Sequence, residues 1–153
     1  MRKYFSVFGI VIPVIILLFA VFYGVIIYQG AGIDEESKLY VDSVTPVILN
    51  SMDKETLFKY ADDTLINSAQ PDEFDRIFNW FRTLGELRDY NGSYGQANIK
   101  LSISGVSFVA SYEADVTFDK ARARVTVSLI KSDGVWKISA FSIRSSALKQ
   151  SYF

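Results

Sequence analysis

Three hydrophobic patterns follow one another along the chain. From Tyr4 to Tyr28 the residues are almost continuously apolar, and no charge occurs in the 30 positions between Lys3 and Asp34. From Asp34 to Gly85 apolar residues recur every three or four positions, and from Leu87 onward every second position. In order, these patterns predict a membrane-spanning helix, a set of amphipathic helices and an antiparallel sheet.

The apolar run, placed at residues 4–29, is long enough as a helix to cross a hydrocarbon core of ~30 Å. A cleaved signal peptide has a shorter apolar region, about 7–15 residues, so an uncleaved anchor is expected. Gly30, Ala31 and Gly32 resemble a small-residue cleavage site and keep cleavage as the alternative. Residues 30–33 then form a linker, 34–149 a domain and 150–153 a tail. Arg2 and Lys3 precede the span and Asp34, Glu35 and Glu36 follow it. The positive-inside tendency therefore leaves residues 1–3 cytoplasmic and exports the domain. In a bacterium this is a single-pass inner-membrane protein with its domain in the periplasm or outside.

Within the helical region, Tyr40, Val44, Val47 and Ile48 mark one apolar face, with Pro46 as a break signal inside it. A second helix is expected from Asp53, burying Leu57, Phe58, Ala61 and Leu65. Pro71, with Asp72 and Glu73 behind it, opens a third. That helix carries the stripe Phe74, Ile77, Phe78, Phe81 and Leu84 and ends at Gly85.

A short strand is expected over Leu87 to Tyr90, then a glycine-rich loop, then a strand with Ile99, Leu101 and Ile103 on one side. Val106, Phe108, Ala110, Tyr112, Ala114, Val116 and Phe118 share a face of the next strand. A two-residue loop at Asp119-Lys120 pairs Phe118 with Ala121 and Asp115 with Arg124. Asp133-Gly134 is a strong hairpin signal, and it pairs Leu129 with Ile138 and Val127 with Ala140. This register points Ile130, Phe141 and Ile143 to the second face of the sheet, where they form a candidate partner surface.

Composition narrows the chemistry. The chain has 153 residues and neither cysteine nor histidine, which removes thiolate nucleophiles, disulfides, histidine-based triads and Cys/His zinc sites. The net charge of −1 becomes −3 once Arg2 and Lys3 are set aside. With no Lys/Arg run, nucleic acid is not an expected partner. Asp62-Asp63 and Asp72-Glu73-Asp75 lack the ligand spacing of a calcium loop, so no metal site is expected.

Gly85-Glu86-Leu87, Tyr112-Glu113-Ala114 and the ending Asp133-Gly134-Val135-Trp136-Lys137-Ile138, Phe141, Ile143 resemble the cystatin-like or NTF2-like superfamily. The resemblance covers roughly residues 35–146. It implies an α+β fold with helices on one face of a curved antiparallel meander. Enzymes of that group hold an acid and a tyrosine in the cone between sheet and helices. Tyr112 points inward here, but Glu113 and Asp115 point outward, so no catalytic residue and no cofactor are expected. Two functional readings follow. One is a membrane-anchored, non-enzymatic accessory or assembly subunit, held by membrane lipid and docking a protein partner or a second copy. The other is a small-molecule-binding module, or less readily an enzyme, whose cone is lined by Trp80, Phe108 and Tyr112.

Overall fold

The computed structural model describes residues 15–21, 24, 32–68, 70–102 and 105–149. The chain divides into two compact units, 1–33 and 34–153. In the first, residues 15–21 are helical, with Ile15 to Phe19 and Val21 exposed. The rest of the span predicted over 4–29, apart from Gly24, lies outside the described residues. Among those described, no helix is long and apolar enough to cross a membrane.

The second unit is α+β, with helices first and a five-stranded antiparallel sheet after them. Helix α1 spans Ile33–Ser51 and starts on three acids, where negative charge is favourable near the helix N-terminus. Pro46 does not end it. The proline removes one backbone donor, but Val41, Val44, Ile48 and Leu49 are buried on either side and hold the turns in place. The buried stripe is offset from the predicted one, because Val47 is exposed.

The second predicted helix is two short ones, α2 at Lys54–Tyr60 and α3 at Asp63–Ile66. Each start is capped by an aspartate: Thr56 N donates to Asp53 Oδ1 at 2.7 Å and Leu65 N to Asp62 Oδ1 at 2.8 Å. Between them Ala61 is extended and bridges Ile138, and Asp62 N donates to the Ile138 carbonyl. The break therefore covers part of a sheet edge. Helix α4 spans Pro71–Arg82 and buries Phe74, Phe78 and Phe81.

Strands β1 (Leu87–Tyr90), β2 (Tyr94–Ser102), β3 (Gly105–Phe118), β4 (Arg122–Ser132) and β5 (Val135–Arg144) follow, and helix α5 (Ser146–Lys149) closes the described chain. The sheet runs β1-β3-β4-β5, with β2 paired to the first part of β3. The expected pairing of Asp115 with Arg124 and Leu129 with Ile138 is present. Asp133 and Gly134 both have positive φ, as a type I′ hairpin requires. Alternation places Ala110 to Phe118 and Ala123 to Leu129 against the helices, where Tyr112, Val125, Val127, Leu129 and Ile138 form the centre of the core.

One register expectation is corrected. β5 carries a bulge at Ser139, so Ile138 faces Leu129 while Ala140 faces Ser128 and Phe141 faces Val127. The extra residue reverses the alternation beyond it. Ala140 is exposed, whereas Ile143 pairs with Val125 and is only 7% exposed. Phe141 and Ile143 thus belong to the helix-facing side, and Ile130 alone of the three stays on the outer face, opposite Val109.

Candidate docking surface

The outer face of the sheet is built by alternation. Each inward residue of β3 and β4 sends its neighbours outward, giving Ser111, Glu113, Asp115 and Thr117 on β3 and Arg122, Arg124, Thr126 and Ser128 on β4. After the bulge, β5 adds Ala140, Ser142 and Arg144. None of these residues is buried, so no described element covers this face.

Charge on this face is ordered in rows. Asp115, Arg124 and Arg144 lie straight across three strands, and Thr117 and Arg122 form the next row. Arg124 is engaged, with Nε 2.9 Å from Asp115 Oδ1 and Nη1 3.7 Å from Glu113 Oε2. Glu113 also accepts from the Tyr94 hydroxyl at 3.2 Å. Among the described residues, the Arg122 and Arg144 guanidiniums have no carboxylate partner. They line a groove of about 720 Å³ whose walls include Asp89, Asp115, Thr117 and Ser145. A planar guanidinium fork that is not held in an ion pair suits a carboxylate or another oxyanion presented in its plane.

The residues expected to line an inner pocket are placed differently. Tyr112 is buried, its hydroxyl donating to the Asp34 carbonyl at 3.0 Å and lying 2.9 Å from Ser37 Oγ. Its partners are thus a serine and a backbone carbonyl rather than a carboxylate. Phe108 lies four residues back on β3, about 13 Å along the strand, and is half-buried, as is Trp80 on α4. None of the three lines the outer groove, nor a second cleft of about 640 Å³ between Met52, Arg82 and Asp119. Comparison with protein-family models, curated proteins and solved structures finds no match.

A polar cluster that the sequence pattern did not reveal joins α1 to the β1–β2 loop. Asp42 accepts from Lys38 Nζ at 2.6 Å, the Tyr90 hydroxyl at 2.8 Å and Ser93 N at 2.8 Å. Burial alone would raise the Asp42 carboxyl, but the bonds from Lys38, Ser93 and Tyr90 outweigh it and hold the group below its usual range. Burial and the bond to Asp42 push the Tyr90 hydroxyl well above its usual range. Both shifts move away from neutrality, which suits a structural clamp better than proton transfer at pH 7. A carboxyl depressed in the folded state contributes stability above its unfolded pKa of about 4 and loses it as pH falls through the folded value. Asp42→Asn is therefore expected to flatten the acid limb of the stability-versus-pH curve below about pH 4, measured by denaturant unfolding. An unchanged acid limb would show that the cluster carries no charge linkage.

The acid clusters have local roles. Asp62 caps α3, and Asp75 pairs with Lys54 at 2.5 Å. Among the described residues, no group of three or more acids is arranged to hold a metal ion.

Proposed function

We propose that this chain is a membrane-tethered, non-enzymatic accessory subunit whose exported domain docks a protein partner through the uncovered face of its sheet. The observation that carries this reading is the pair Arg122 and Arg144, whose guanidiniums have no ion-pair partner among the described residues, on a face that no described element covers. They favour a partner segment rich in carboxylates. The apolar segment before Asp34, with basic residues ahead of it and acids behind, supports a single span with the domain outside the cytoplasm of a bacterium. Helices preceding a long antiparallel meander support the NTF2-like reading of the fold. A net charge of −1 with no Lys/Arg run does not favour nucleic acid.

The competing reading, a ligand held in the cone, loses ground to packing. Ile48, Leu84, Val125, Leu129 and Ile138 are fully buried in the core, and the Tyr112 hydroxyl is already bonded. Docking is tested with a photo-crosslinking residue at Thr126, on the outer face between Glu113 and Ser142, in full-length protein in its native membrane. A discrete adduct is expected, and the double substitution Arg122→Glu, Arg144→Glu should reduce its yield at least tenfold, about 1.4 kcal/mol of lost association. An adduct indifferent to the reversal would remove the arginines from the interface. An adduct of twice the chain mass would make the partner a second copy.

A further inference from the structure

The β2–β3 hairpin extends past the end of the domain at which the chain enters. Strand β2 and the loop before it run antiparallel to α1 and are fastened to it twice. Ser93 N donates to Asp42 Oδ1, and Ala97 N donates to Asp34 Oδ1 at 2.5 Å. Eight residues of helix rise about 12 Å and four of strand about 13 Å, so the two contacts agree on the geometry. Beyond Ala97, β2 continues to Ser102 while the helix has reached its first turn. The hairpin therefore overhangs the start of α1 by about 16 Å.

The overhang is amphipathic. Register puts Ile99, Phe108 and Val106 on the same face as the core residues further along the strands. There α1 has ended, and Val106 is 59% and Ile99 37% exposed. Lys100 and Ser107, opposite each other, occupy the other face. Two of the three acids in the first turn of α1 are engaged, Asp34 by the Ala97 amide and Glu36 by Lys131 Nζ at 2.6 Å, while Glu35 is exposed. Immediately upstream of α1 lie the 30 uncharged positions that end at Ile33.

We infer that the apolar face of the β2–β3 overhang, carrying Ile99, Val106 and Phe108, rests in the lipid interface of the membrane that holds the anchor. The inference rests on the tether reading above. If the chain leaves the bilayer just before α1, a hairpin projecting toward that side meets the headgroup region, where an apolar face with a polar back is stable. The contact would fix the orientation of the domain on the membrane surface.

The chain has no cysteine, so one introduced cysteine is a unique labelling site. Full-length Val106→Cys and Ser128→Cys, each carrying an environment-sensitive fluorophore, are reconstituted in phosphatidylcholine nanodiscs. The Val106 probe is expected to be blue-shifted and quenched by nitroxide-labelled lipid, and the Ser128 probe on the outer face to stay aqueous. Both positions tolerate cysteine if the unfolding midpoint of the labelled protein matches that of the unlabelled chain. A Val106 probe as wet as the Ser128 probe overturns the inference. A blue shift without lipid quenching also overturns it, since protein rather than lipid then covers the hairpin. An alkaline carbonate wash separates the two claims. A chain stripped from native membranes refutes the tether itself, whereas a retained chain with a wet Val106 refutes only the hairpin contact.

Discussion

Ile143→Asp is expected to destabilise the domain by about 3–5 kcal/mol, whereas Ser142→Asp, one residue earlier, should change stability by no more than about 0.5 kcal/mol. The difference follows from the bulge at Ser139. Beyond it Ile143 lies opposite Val125, which is fully buried, while Ser142 lies opposite Thr126 on the outer face. An aspartate at 143 forfeits the burial of an isoleucine and places a carboxylate beside the buried Val125. The group would meet that cost partly by taking up a proton, so the loss should deepen as pH rises. Denaturant unfolding of the two full-length variants in mild detergent measures both effects. Equal stability of the two would restore the unbulged register and return Ile143 to the outer face.

Gly95→Ala should cost about 3 kcal/mol, at the upper end for an added methyl group. A Cβ at Gly95 would stand 2.0 Å from the Ser111 carbonyl oxygen and 2.8 Å from Tyr112 Cα. Both obstacles are backbone of the central strand, and neither can rotate away as a side chain would. Strand β2 would have to lift from β3 where the pairing of Tyr94 with Glu113 begins. Because β2 and the loop before it also hold α1 through Ala97 and Ser93, the damage should spread to the clamp at Asp42. Gly134→Ala is the comparison. Its φ of +78° is strained for alanine, but nothing lies within 4 Å of the added carbon, so a loss nearer 1 kcal/mol is expected. Thermal unfolding of the two variants decides it, and equal midpoint shifts would mean that conformational strain alone governs both sites.

Much of this fold is legible in the residues themselves. The period-two runs around Asp119-Lys120 and Asp133-Gly134 fix the pairing of β3 with β4 and the first half of β4 with β5, because turn chemistry and face alternation agree on one register. The aromatic stripe of α4 is equally plain. What escapes is whatever depends on partners far away in sequence. Pro46 reads as a break because local propensity says so, yet the packing of α1 overrides it. Ala61 reads as a buried helical position, and only the edge of β5 explains why it is extended.

The docking face shows the same division. Arg122 and Arg124 sit on the polar side of β4 by simple alternation. Arg144 falls on the inner side of an unbulged β5, where an unpaired guanidinium would be buried at high cost. The bulge resolves that conflict, setting Arg144 beside Arg124 while taking Phe141 and Ile143 inward. A switch in the parity of apolar residues between Ile138 and Phe141 was the signal for it. The Asp42, Tyr90 and Ser93 cluster left no such signal, since its members stand 48 or more positions apart from Asp42 and none departs from an ordinary surface pattern.

Crosslinking from Thr126 in the native membrane tests the central claim most directly, read against a second site at Ser43 on the exposed side of α1. The account expects a discrete protein adduct from Thr126, weakened by reversing Arg122 and Arg144, and none from Ser43. An adduct from Ser43 with none from Thr126 would contradict it, placing the partner on the helices rather than on the open face of the sheet.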